Sequence, residues 1–172
     1  MNIRQAAVND AKGIAKVHID SWRTTYEGII DPQFLSELSY EEREQMWAEG
    51  LETSQPVFVA VTEAGDIVGF ATGGEERTGK YSHYTGEVYA IYLLKAYQGQ
   101  GIGRQLIQAV TQYIYDLGHT SMLIWVLQDN PAIYFYEALG GVKVATERLT
   151  IGRRNHIEIA YGWQSILPLL NT

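Results

Sequence analysis

The segment Gln98-Gly99-Gln100-Gly101-Ile102-Gly103-Arg104 constrains this chain more than any other, because it joins an apolar run at residues 87–94 to a strongly periodic stretch beginning at Ile102. Glycine reaches positive φ without steric cost and lets a ligand come close to the backbone. The first turn of a following helix presents unpaired N–H groups at the positive end of its dipole, so a turn of this composition is suited to hold phosphate. A plain strand-to-helix turn is the alternative, but three glycines in five residues exceed what it needs. Two familiar nucleotide loops are absent. A P-loop closes on Gly-Lys-Ser/Thr, whereas Gly103 is followed by Arg104 and Gln105. A G-x-G-x-x-G dinucleotide fingerprint needs glycine where Arg104 or Leu106 stands.

Periodicity arranges the other elements around that turn. From Ile102 the apolar positions Leu106, Val110, Ile114 and Leu117 follow one helix face, and Gly118 is placed to end the helix. Upstream, residues 2–6 read as a strand, and Asn9 or Asp10 as the cap of a helix reaching about Tyr26. Its buried stripe is Ile14, Val17, Ser21, Trp22 and Tyr26, and Gly28 ends it. Pro32 opens a brief helix through Phe34, Leu35 and Leu38, and Ser39 with Glu42 resembles a capping box for a helix to Leu51. Residues 57–62 and 67–72 read as an antiparallel hairpin, and the polar, glycine-containing residues 73–86 as a mobile loop. Residues 121–127 read as a strand, 131–139 as a short helix opened by Asn130, and 142–149 with 155–163 as a final hairpin. This order predicts an α/β fold, an α+β mixed sheet with helices on both faces.

Composition narrows the partners. At 172 residues the chain has the length of one domain, and we expect residues 1–172 to form a single one. A net charge of -7 opposes binding to a phosphate backbone, so no nucleic-acid partner is expected. The absence of cysteine removes disulfides, thiolate metal sites and a thiol nucleophile. His18, His83, His119 and His156 lack metal-ligand spacing, so no metal is expected. No apolar stretch approaches the ~18 residues of a membrane span. We therefore expect a soluble, cytoplasmic protein without a membrane partner.

Read as Gln98-x-x-Gly101-x-Gly103, the turn resembles the acyl-CoA pyrophosphate loop of the GCN5-related N-acetyltransferase (GNAT) family, whose pattern is Gln/Arg-x-x-Gly-x-Gly/Ala. Downstream, the run from Asn130 through Phe135-Tyr136-Glu137 to Gly140 is similar to that family's asparagine-led segment ending F-Y-E-x-x-G. The element order matches from Asn2 through Trp163. The resemblance implies a GNAT-like, mostly antiparallel sheet in which two parallel strands, here residues 87–94 and 121–127, splay apart. Their freed backbone groups would bind the pantetheine arm of acetyl-CoA like an added strand. It further implies an acetyl-CoA-dependent N-acetyltransferase acting by direct attack on a primary amine of a small molecule or peptide, and is compatible with a homodimer. A non-catalytic acyl-CoA-binding sensor is the alternative.

The resemblance also implies roles for individual residues. Backbone groups of Ile91 and Leu93 would contact the cofactor, with Gln98 and the N–H groups of Gly99, Gln100, Gly101, Ile102, Gly103 and Arg104 at the pyrophosphate. Asn130 would reach the cofactor or only cap the next helix. An alkyl amine titrates near ~10.4, so a base is required. Glu87 resembles the glutamate base of histone-acetylating members; an exposed acid at a strand end is the alternative. The N–H of Leu93 would hold the developing oxyanion. Tyr136 would donate a proton to the leaving thiolate, or else pack with its hydroxyl satisfied. Tyr134 faces elsewhere and is assigned to packing. Trp22, Tyr26 and Glu27 would form an aromatic and acidic wall for a cationic amine, or else core plus a solvated acid, and Glu158 would lie on the acceptor side.

Overall fold

The computed structural model describes residues 1–171. Strand β1 (Asn2–Gln5) and a 3-10 turn (Val8–Asp10) lead into α1 (Ala11–Thr25), α2 (Pro32–Ser36) and α3 (Tyr40–Leu51). The hairpin β2 (Val57–Val61) and β3 (Ile67–Glu75) is followed by β4 (Gly86–Leu93), a second 3-10 turn (Lys95–Tyr97) and α4 (Ile102–Asp116). The chain continues through β5 (Met122–Leu127), α5 (Ala132–Ala138), β6 (Val142–Ile151), β7 (Arg154–Trp163) and α6 (Leu167–Leu170). The strands form one sheet in the order β1-β2-β3-β4-β5-β7-β6, antiparallel except between β4 and β5.

Helices cover both faces. On one side α4 buries Ile102, Leu106, Val110 and Ile114 against Val88, Met122 and Ile124. Complete burial of Leu106, Val110 and Ile114 contributes about 1.5–3 kcal/mol each. The predicted stripe overruns by one position: Leu117 follows the last turn and is 49% exposed. On the other side Ile14 and Val17 of α1 meet Val57, Val59 and Phe70. A third cluster, with Tyr26, Ile30, Leu35 and Leu127, joins the end of α1 to β5.

Local chemistry sets the helix starts. Asp31 caps α2 by accepting from the Gln33 N–H at 3.0 Å, with Pro32 in the first turn. Ser39 accepts from the Glu42 N–H at 3.3 Å, one half of the expected capping box. Asp10 does not cap α1; its carboxylate accepts from the Ala7 N–H at 2.8 Å and from Arg4 at 2.7 and 2.9 Å, and α1 grows directly from the 3-10 turn.

The mobile loop expected at residues 73–86 is shorter and tied down. Gly73 and Gly74 belong to β3, where the register shifts, and a Cβ on Gly73 would lie 2.6 Å from the Glu87 carbonyl oxygen. The glycine there answers a close backbone approach, not a need for freedom. Residues 76–85 leave the sheet but are held at several points. The buried Glu76 carboxylate accepts from the N–H groups of Thr78 and Gly79 and from the Thr78 hydroxyl. Tyr81 donates to Glu147 at 2.8 Å, and the Thr85 N–H donates to the Ser121 hydroxyl at 3.1 Å.

Candidate active site

The parallel pairing of β4 and β5 covers only Gly86–Met122, Glu87–Leu123 and Val88–Ile124. Beyond that point β4 stays paired with β3 as far as Leu93, and β5 stays paired with β7 as far as Leu127. The two strands have forked, and the backbone groups on their facing edges no longer serve each other. Such groups require other partners.

The glycine turn stands at the mouth of the fork. Gly99 (φ 73°) and Gly101 (φ 79°) are both left-handed, with no atom within 4 Å of a would-be Cβ, so conformation and not space requires glycine there. Gln98 donates through Nε2 to the Leu93 carbonyl at 3.1 Å, which ties the turn to the end of β4. Helix α4 then starts at Ile102 with no side-chain cap and no acid in its first turn, leaving its first N–H groups for an anion.

Between the arms of the fork and this turn lies a cavity of about 630 Å³. Ile91, Tyr92 and Leu93 of β4 line it, as do Gln98, Gly99, Gly101, Gly103 and Arg104. Asn130, Phe135 and Tyr136 line it from the α5 side, and Ser21, Thr24 and Thr25 from α1. Gln100 and Ile102, expected to act through their N–H groups, turn their side chains away from this wall. Gln100 folds back to donate to the Ala96 carbonyl at 3.1 Å, and Ile102 is buried in the core beneath α4. Only their backbone is left to face an anion.

Tyr136 is buried in the wall, held by its ring contacts with Phe135 at 5.5 Å and Tyr161 at 6.2 Å. Burial, then the neighbouring Tyr92, raises its phenol pKa above the ordinary value. Tyr134 does not pack: it is 70% exposed, because a short helix turns that position away from the sheet. Asn130 turns the chain into α5 and also borders the cavity. Its Oδ1 accepts from the Ala132 N–H at 2.9 Å, its Nδ2 donates to the Tyr26 oxygen at 3.5 Å, and it lines the cavity.

The proposed acceptor wall assembles only in part. Trp22 packs edge-on to Tyr26 at 5.0 Å and against Phe34 and Tyr92. Tyr26 is buried, and burial first and Tyr92 second raise its pKa. Glu27 lies beyond the helix end, exposed, and does not join them. Tyr92, which sequence reasoning passed over, is the aromatic that links this group to the cavity. It stacks on His18 with ring centroids 5.3 Å apart and an interplanar angle of 21°. His18 Nδ1 accepts from the Trp47 indole N–H at 3.1 Å, and burial, with a smaller effect from Arg43, lowers its pKa to about 4.

Glu87 is neither exposed nor on the cavity wall. It sits in the still-paired part of β4, 2% exposed, with one carboxylate oxygen accepting from the Arg77 guanidinium at 2.7 Å and the other from the Arg77 N–H at 3.1 Å. Glu158 also lies off the wall, opposite Glu147 on β6 and Leu127 on β5. Burial, then Glu147 and Glu87, raises its pKa. Among the described residues no group of three or more His, Asp or Glu side chains is arranged to hold a metal, and no helix is long and apolar enough to cross a membrane.

The open strand edges suit an extended, amide-bearing arm, and the turn with Lys95 and Arg104 beside it suits an anionic head. A forked sheet with this turn at its mouth defines an α/β fold shaped to take a ligand with an extended amide-bearing arm and an anionic head. The chain matches the model of the acetyltransferase (GNAT) family over residues 18–141, and it belongs to that family. It is 40% identical over 169 residues to the uncharacterized N-acetyltransferase YuaI of Bacillus subtilis (strain 168), covering 98% of this chain and 96% of that one. The fold is similar to ribosomal-protein-alanine N-acetyltransferase from Brucella melitensis (TM-score 0.72, 21% identity, 95% and 99% of the two chains covered). It is also similar to YncA from Salmonella typhimurium, solved with its cofactor acetyl-CoA (TM-score 0.70, 22% identity, 95% and 93% covered). The protein is thus an acetyltransferase with a GNAT fold.

Proposed function

We propose that the protein is an acetyl-CoA-dependent N-acetyltransferase that modifies a primary amine of a small molecule or peptide by direct attack. The observation that carries this reading is the fork itself: three parallel residue pairs, then a lined gap that ends at the glycine turn. Bound there, acetyl-CoA supplies an acetyl group activated as a thioester. The backbone of Ile91 and Leu93 holds the pantetheine amides, and the N–H groups of residues 99–104, with Arg104 beside them, hold the diphosphate.

Negative charge that develops on the carbonyl oxygen is met by the Leu93 N–H, a donor already fixed in the strand. Tyr136, a phenol that is protonated at neutral pH and stands in the cavity wall, donates to the departing sulfur. A covalent thioacetyl-enzyme is disfavoured because the chain has no cysteine. We assign Glu87 to anchoring residues 76–85 through Arg77, because both of its oxygens are engaged and it is shut off from the cavity; the amine therefore loses its protons to solvent water, and the Tyr136 phenolate left after donation to sulfur is reprotonated from water. Thiol release from acetyl-CoA against a panel of primary amines tests the reading. Turnover with at least one amine, lowered in Tyr136→Phe, is the expected result. Saturable binding of coenzyme A with no amine acetylated replaces it with the sensor reading.

A further inference from the structure

Ser21 conflicts with its surroundings. It stands in the buried stripe of α1, 1% exposed, and its hydroxyl has no hydrogen-bond partner. A helical serine or threonine commonly turns its hydroxyl to a carbonyl three or four residues back. Thr24 does so, donating toward the Asp20 and Ser21 carbonyls at 3.1 and 3.2 Å, whereas Ser21 does not. An unpartnered buried hydroxyl costs stability that alanine at the same place would not. It is therefore a tolerated defect, or one half of a hydrogen bond whose other half arrives with a ligand.

Its position favours the second. Ser21, Thr24 and Thr25 share one helix face by their spacing, and all three line the gap together with Ile91, Tyr92 and Leu93. Helix α1 packs on β3 and β4 and ends beside Asn130 and Leu127, so it roofs the fork from one strand to the other. An amide-bearing arm laid along β4 satisfies one edge there. Its other edge still carries carbonyl oxygens that need donors, and β5 offers only residues 125–127 past the fork.

We propose that Ser21 is a cofactor-holding residue whose hydroxyl donates to a carbonyl oxygen of the acylated pantetheine arm from the α1 side of the gap. The inference rests on reading the gap as the acetyl-CoA site. The carbonyl belongs to a pantetheine amide or to the thioester, and the experiment separates the two.

Ser21→Ala is compared with wild type by apo melting temperature, by calorimetric Kd for coenzyme A and for acetyl-CoA, and by kcat. The apo variant should melt at the same temperature or higher, because the orphan is gone, yet bind acetyl-CoA about three- to tenfold more weakly. Equal losses for both ligands with kcat retained assign the pantetheine amide. A loss confined to acetyl-CoA, with kcat falling too, assigns the thioester. Ser21→Cys keeps the side-chain shape with a weak donor and should bind like the alanine variant. Unchanged binding in both variants, or an apo form that melts several degrees lower, overturns the proposal while leaving the function intact. Wild-type protein that fails to bind coenzyme A overturns the parent reading and this one with it.

Discussion

His18 offers a quantitative test of how the α1 side of the molecule is packed. The ring is enclosed by Trp22, Trp47, Phe70 and Tyr92, and its Nδ1 accepts from the Trp47 indole N–H. Burial lowers its pKa from 6.5 to about 4. Between those values the unfolded chain binds a proton that the folded one refuses, so this contribution is fully present above about pH 6.5 and is lost as pH falls toward about 4. From about pH 7 down to about pH 4.5 the lost folding free energy is about 2 kcal/mol for this one group. His18→Gln removes the titration and keeps an acceptor for Trp47. Urea unfolding of both proteins at the two pH values isolates the histidine, because carboxylates shared by wild type and variant cancel in the difference. Wild type should lose about 2 kcal/mol more than the variant over this interval. Parallel losses would refute the enclosure of His18.

Three further outcomes are expected. Tyr136→Phe should lower kcat about a hundredfold while acetyl-CoA affinity, read by calorimetry, stays within about twofold; equal loss in both would reduce Tyr136 to a wall residue. Gly101→Ala should cost about 1–2 kcal/mol in urea unfolding, because φ is 79° and the added Cβ meets nothing, and should weaken coenzyme A binding by disturbing the start of α4. Glu87→Gln should lower stability by about 1–3 kcal/mol and speed proteolysis within residues 76–85, with kcat changed less than tenfold; a far larger kcat loss in a stable protein would return Glu87 to the role of base.

What could be read from the chain alone followed from local physics. The α4 stripe and the glycine turn are short-range patterns, and both lie where expected because periodicity and positive φ are properties of neighbouring residues. Several of the failures involve partners distant in sequence. The exposed-acid alternative for Glu87 beside Gly86 fails because Arg77, ten residues earlier across a loop, closes on a carboxylate that is buried. Residues 76–85 look mobile because Tyr81 finds Glu147 only after the last hairpin has folded back. Gly73 looks like a loop residue because the backbone that crowds it belongs to the next strand. Tyr92 was hidden among twelve tyrosines, although its place between Ile91 and Leu93 already set it at the fork. Ser21 stands in the sequence as a polar side chain within the apolar stripe of α1.

Amide hydrogen exchange of the folded protein, with and without saturating coenzyme A, probes the fork most directly. Occupancy of the gap predicts slowed exchange at Ile91 and Leu93 and across residues 99–104, with little change in the distant hairpin β6–β7. Exchange unaltered at those amides, or protection concentrated along that hairpin, would contradict the assignment of this gap as the acyl-CoA site.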